Sequence, residues 1–310
     1  MALGSNQQTP TTAANFIPEL WSDEVIAGYK KNLVLGNNVT RINHSGKKGD
    51  TIHIPTPTRG SANAKAYNTQ VVLQGDTHGV TNVSIDKHYE YSVVIEDITE
   101  VQALQSLRRF YTDDAGYALA AQVDTDLFTI MEGLQGGTVG GSGTSLWEKA
   151  KIGSNGTTDF VGGTSNAADI TDAGIRAMML LLDNADVPSD NRCMVVPPVC
   201  MSDILGLPRF TEQAYIGDGN AIKTGKIGQI YGMDVFVSSN CPAVTTTNSV
   251  AVRIGLMIHK DAVALVEQMG VRSQTQYKQE YLGDLFTSDT IYGVGELRND
   301  AGVAFAVPAA

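Results

Sequence analysis

Residues 47 to 95 carry a pattern that a lone chain cannot satisfy. GDTIHIPTP leads into polar RGSANAKAYNTQ and then into VVLQGDTHGVTNVSIDKHYEYSVVI. The period of two predicts one strand out and one back around a polar tip. Pro55 and Pro57 remove ladder donors, so the first strand lies on an edge or runs into a loop. A two-stranded excursion buries no face on itself and is marginal in water. Another surface must cover it.

The next segment has helical periodicity. Asp97 and Glu100 have the spacing of a capping box. Ile98, Val101, Leu104, Leu107, Phe110 or Tyr111, Ala118 or Leu119, Val123, Leu127, Ile130 and Leu134 then recur every three or four residues. The spacing predicts a helix over 97–134, about 55 Å long if continuous at 1.5 Å per residue. Gly116 weakens it by about 1 kcal/mol relative to Ala and marks where it would kink or break. Leu104, Leu107, Val123 and Leu127 share a face expected to pack on the terminal strands. The carboxylates Asp113, Asp114, Asp124 and Asp126 read as a solvated face.

The first fifteen residues are polar, and FIPELWSDEVIAGYKKNLVL follows with Leu20, Trp21, Val25, Ile26, Tyr29, Leu33 and Val34 at helical spacing and Pro18 suited to a first turn. Residues 1–60 hold six basic side chains (Lys30, Lys31, Arg41, Lys47, Lys48, Arg59) against four acids, a mildly basic arm on a chain of net charge −11. Beyond the long helix, residues 135–166 are Gly/Ser/Thr-rich and read as a surface insertion pinned by Trp147. ITDAGIRAMMLLLDNADVP predicts an amphipathic helix stopped before Pro188, RCMVVPP a buried strand, and VCMSDILGL a short helix. From Val252 to Val307 the chain is strand-rich.

The chemistry these residues exclude is as informative. A net charge of −11 argues against a protein built to grip a phosphate backbone. GNAIKTGKIGQIYGMDVFVSS puts five residues between Gly219 and Gly225-Lys226, with Ile227 where a phosphate loop needs a hydroxyl, so it reads as a Gly-punctuated turn into a strand. Cys193, Cys200 and Cys241 lack zinc spacing and read as buried hydrophobes. His44, His53, His78, His88 and His259 form no metal-ligand pair and read as surface or strand residues, and no GxSxG elbow is present. The amino terminus has no secretion-signal pattern, and AMMLLL is far shorter than the ~20 apolar residues of a membrane span. The expectation is a non-enzymatic protein with no cofactor, no catalytic or metal residues and no membrane partner.

The order of parts resembles the major capsid proteins of tailed phages, the Hong Kong 97-like α+β fold. RCMVVPPVCMSDILGL is similar to that family's strand, Pro pair and short helix, KIGQIYGMDVFVSSN to its return strand, and YLGDLFTSDTIYGVGELRNDAGV to its closing strands. The resemblance implies an amino-terminal arm at 1–46, an extended β-hairpin loop at 47–95, and a peripheral domain of 96–166 with 252–310 that holds the spine helix and the Gly-rich insertion. It implies an axial domain at 167–251. Function would be self-assembly into the hexamers and pentamers of an icosahedral head enclosing double-stranded DNA, in a virion assembled in the host cytoplasm. Partners would be further copies, scaffolding, portal and decoration or cement proteins, and packaged DNA held without sequence preference. Trp21, Tyr29, Arg59, Lys65 and Tyr67 would make assembly contacts, and Lys30 and Lys31 would face the DNA. A Lys–Asn crosslink, formed in some members, would need a lysine near the loop tip, where Lys65 stands, although a solvated loop lysine is the reading preferred here. No long scaffolding segment precedes residue 16, so scaffolding would be a separate protein or a removed segment. An encapsulin-type compartment or a monomeric binding module or enzyme stays open as an alternative.

Overall fold

A computed structural model describes residues 34–46, 48–56, 60–73, 75, 78–102, 107–131, 134, 150–161, 166–207, 228–245 and 251–309. In chain order the elements are β1 (Thr40–Asn43), β2 (Thr51–Thr56), β3 (Gly79–Ser84), β4 (Lys87–Glu96), α1 (Asp97–Gln102), α2 (Leu107–Met131), β5 (Lys151–Ile152), α3 (Asp172–Asn184), β6 (Arg192–Val196), α4 (Pro198–Leu205), β7 (Gln229–Ile230), β8 (Met233–Val237), β9 (Ala243–Thr245), β10 (Ala251–His259), β11 (Val263–Lys278), β12 (Gly283–Glu296) and β13 (Gly302–Pro308).

Three sheets organise them. One has the order β5-β13-β10-β6-β8-β7, with β9 also on β10; a second runs β1-β11-β12-β4; the third is the β2-β3 hairpin alone. β6 is buried at all five positions because β10 and β8 flank it, which is why RCMVV reads as an unbroken apolar run. Val252, Ile254, Leu256, Met257 and Ile258 of β10 and Val303 to Val307 of β13 form the centre of the core. α3 covers it with Ile175, Met178 and Leu182, and starts where Thr171 Oγ1 accepts the amide of Gly174 at 3.1 Å. Pro198 opens α4 in the first turn, where its missing N–H would have no helical partner anyway.

Residues 251–308 therefore serve two sheets. β10 and β13 join β6 and β8, whereas β11 and β12 join β1 and β4. β4 pairs with β12 from Glu96↔Gly283 to Lys87↔Tyr292 and so stands apart from the β2-β3 hairpin that precedes it. Val263 to Lys278 is a single strand with register shifts between Glu267 and Met269 and between Met269 and Arg272. Such bulges bend a strand without ending it.

α2 lies on the four-stranded sheet, packed against β4, β11 and β12. Its twenty-five residues span about 38 Å. Of the kink or break expected at Gly116, no break occurs: the helix is continuous through it, and its surroundings are open, so a residue lacking a side chain there creates no void. Leu127 is buried and Val123 packs against the core, as the apolar stripe implies; Leu104 and the side chain of Leu107 lie outside the described residues. One expectation about acids is corrected. Asp124 and Asp126 are not on a solvated face but are 2 % and 9 % exposed, because donors from distant segments converge on them. At the start of α1 the Asp97 carboxylate accepts the Tyr277 O–H at 2.8 Å.

Candidate assembly surfaces

The β2-β3 hairpin is rooted by a close approach to β12. A Cβ on Gly293 would sit 2.2 Å from the Ser84 carbonyl oxygen, and one on Gly295 would meet the Val83 side chain at 2.6 Å. β3 can lie against β12 only because those two alternate positions carry no side chain, and Val83 is 1 % exposed as a result. Within the hairpin, His53 Nδ1 meets Asn82 Oδ1 at 2.6 Å and Ile52 stands opposite Val83.

Beyond that root the chain is almost bare. Residues 60–73 are exposed throughout, and within them Tyr67 is 99 % and Leu73 89 % exposed, with Val71 and Val72 also open. Singly exposed apolar residues are ordinary, but a contiguous Val-Val-Leu beside a tyrosine on a projecting loop is the kind of patch that marks a contact with another molecule. A second cluster of exposed apolar side chains, Tyr281 and Leu282, occupies the turn between β11 and β12.

Two carboxylates of the long helix, and a third on β12, bind across the fold. Asp124 accepts the Leu35 amide at 2.9 Å and the Asn240 side chain at 3.1 Å, linking the segment before β1 to α2 and to the end of β8. Burial pushes its carboxyl above the usual carboxylate range although both hydrogen bonds pull the other way. Asp126 accepts the Tyr292 O–H at 2.7 Å and stands 3.7 Å from Lys87 Nζ. Burial, and then that hydrogen bond, raise the Tyr292 phenol far above its ordinary value. Asp289 of β12 takes both Arg272 donors, at 3.1 and 2.9 Å, and lies 3.3 Å from His88 Nε2; the Arg272 hydrogen bonds hold its carboxyl below the usual range. All three join elements far apart in sequence, which is a structural use of charge.

Among the described residues, no comparable gathering of titratable groups forms a metal or nucleophile site. Among the described residues no cluster of three His, Cys, Asp or Glu could hold a metal. Cys193 and Cys241 are buried with thiols pushed up to about 12, and burial raises Cys200 as well, so all three are protonated and inert. A groove of ≈ 320 Å³ between Gly36, α2 and β11 holds Arg41 and Asp124 above an apolar floor of Val123 and Leu265. It holds no nucleophile with an adjacent base. No helix among the described residues is long and apolar enough to cross a membrane.

Of the expected assembly residues, Lys65 and Tyr67 stand exposed on the projecting loop. Trp21, Tyr29, Lys30, Lys31, Arg59 and Trp147 lie outside the described residues. Sequence reasoning missed the Val71–Leu73 patch, which it took as the start of a strand. It also missed the hairpin root, for which the alternating glycines of YGVGEL were the available signal.

Comparison with known proteins agrees with this picture. The family model for phage capsid proteins matches residues 19–297. No curated protein sequence matches the chain. Among solved structures, one from Mycobacterium phage Che8 is 24 % identical with a TM-score of 0.73, covering 94 % of this chain and 97 % of that one. The capsid of cyanophage P-SCSP1u is 18 % identical with a TM-score of 0.75, covering 99 % and 97 %. The acid-stable capsid of Helicobacter pylori bacteriophage KHP30 is 11 % identical with a TM-score of 0.70, covering 99 % and 100 %. The fold is thus the Hong Kong 97-like capsid fold of these structures, its role is structural, and with the family model matched over most of its length the chain belongs to the phage capsid protein family, as a major capsid protein.

Proposed function

We propose that this subunit assembles into the hexamers and pentamers of an icosahedral tailed-phage head that encloses double-stranded DNA. The observation that carries the reading is the exposed loop at 60–73, whose apolar side chains Tyr67, Val71, Val72 and Leu73 are not covered by the described residues of their own subunit. Contacts of this kind are weak singly, and closing many at once multiplies them through effective concentration. The division follows the sequence reading: arm 1–46, extended loop 47–95, peripheral domain 96–166 with 252–310, and axial domain 167–251. The sheet pairings favour counting β10 and β13 with the axial domain and β4 with the peripheral one. Trp21, Tyr29, Arg59, Lys65 and Tyr67 are the proposed contacts with neighbouring copies, and Lys30 and Lys31 the proposed inward-facing charges near DNA. Scaffolding, portal and decoration proteins complete the partner set, with assembly in the host cytoplasm and no catalytic step carried by this chain.

Negative-stain imaging of the purified protein tests the reading. Closed shells, sheets or rings are the expected result; a monodisperse monomer at high concentration overturns it.

A further inference from the structure

Among the described residues, nothing in the subunit uses the outer edge of the later part of β11. In the four-stranded sheet its outer neighbour is β1, and β1 pairs only with Ala264–Glu267, continued by the His44 amide on the Glu267 carbonyl. Past that point β11 runs on to Lys278 with β12 on its inner side alone. Residues 270–277 are exposed one after another, eight positions without alternation, so both faces are open as well as the edge. The partner strand β12 differs, with Phe286, Ser288 and Thr290 buried.

Natural sheets guard a free edge with charge, proline or covering structure. Here Ser273-Gln274-Thr275-Gln276-Tyr277 carries neither charge nor proline. Of the two cations that flank it, Arg272 is engaged with Asp289 across the ladder and Lys278 stands at the far end of the run, half-buried. An unguarded polar edge flanked by exposed Val271 and Tyr277 is a template for an added strand.

The same chain supplies a segment that fits. Thr69-Gln70-Val71-Val72-Leu73 is uncharged, rich in β-formers and outside every ladder among the described residues, with Val71, Val72 and Leu73 at 60 %, 75 % and 89 % exposure. Five residues span about 17 Å, and the free run Gly270–Lys278 offers about 30 Å. Backbone donors and acceptors would pair along the edge, while alternate apolar side chains of the added segment would cover Val271 and Tyr277.

We propose that residues 69–73 of one copy add as a strand to the free edge of β11, residues 270–278, of a neighbouring copy. This rests on the capsid reading and gives it a specific bond: main-chain pairing between the uncharged 69–73 segment and the uncharged Ser273–Tyr277 stretch of the edge, with no covalent link or partner protein needed.

Two measurements test it. Amide exchange of the unsubstituted protein is compared between particles and dissociated subunits. Peptides covering 69–73 and 270–278 are both expected to slow by roughly an order of magnitude or more in particles. The second uses paired cysteines, Val72→Cys with Gln274→Cys, oxidised in particles; the buried native thiols stay silent. Cross-linked dimers are expected, and Val72→Cys with Leu180→Cys on α3 should give none. If 270–278 is protected while 69–73 is not, another occupant holds the edge and the proposal falls. If neither is protected in closed particles, it falls as well, with the capsid reading intact. Absence of particles from the unsubstituted protein instead removes the capsid reading itself.

Discussion

The amide of Leu35 donates to Asp124 Oδ1 at 2.9 Å across 89 residues of sequence, and this single bond ties the segment leading into β1 to the middle of the long helix. Both groups are buried. Asp124→Ala leaves that amide unpaired out of water, a loss of about 1–3 kcal/mol. Asp124→Asn keeps an acceptor and should lose less. The pH dependence distinguishes charge from hydrogen bonding. Since burial raises the folded-state carboxyl above its unfolded value, the native state holds the proton more tightly, and this group lowers stability as pH rises between those two values. Wild type should therefore gain on Asp124→Asn as pH falls from neutral towards the unfolded-state carboxyl value. Denaturant titrations of both proteins across that range measure the difference, and a gap widening in the opposite sense contradicts the assignment.

Two glycines should respond oppositely to the same change. Gly293→Ala drives a methyl into the Ser84 carbonyl and should cost about 1–3 kcal/mol or detach the hairpin from β12. Gly116→Ala, in open space on α2, should stabilise by up to about 1 kcal/mol. Melting temperatures of the two variants, moving in opposite directions, are the expected result.

Leu127 is fully buried under the four-stranded sheet, and Leu127→Ala should cost about 2–5 kcal/mol. Asp113, exposed on the same helix, should tolerate Asn within about 0.5 kcal/mol. Soluble yield and thermal midpoints compare them. An essential Asp113 beside a dispensable Leu127 would mean the helix presents a different face.

Deleting Gly60 to Asn68 removes Lys65 and Tyr67 while sparing every strand, so the subunit should fold with an unchanged circular dichroism spectrum. Shell closure should fail. Sedimentation reads the outcome, and particles of normal size would remove the loop from the assembly mechanism.

Lys30→Ala with Lys31→Ala tests the inward-facing charges. Free protein should bind DNA weakly, without sequence preference and less as salt rises, and the double variant should lower the slope against salt by about 2. Salt-insensitive, sequence-specific binding would contradict the proposal.

What the sequence determined by itself was the inventory of elements and the faces they bury. The period of ITDAGIRAMMLLLDN, the unbroken apolar run RCMVV and the Pro pair after it each announce their element, because local periodicity records which side chains leave water. The β2-β3 hairpin was legible in the same way, from its period of two, whereas Val71–Leu73 read as a strand and is not one. Tertiary structure alone decided the partners. Nothing local separates β10 and β13, which join β6, from β11 and β12, which join β4, since strand patterns state burial but not neighbour. Asp124 and Asp126 carry the same lesson: a carboxylate on a helix reads as solvated until its donors are known, and here they arrive from Leu35, Asn240 and Tyr292, between 89 and 166 residues away. Burying those charges is tolerable only when the whole fold delivers hydrogen bonds to them, and that condition is not written in any local stretch of the chain.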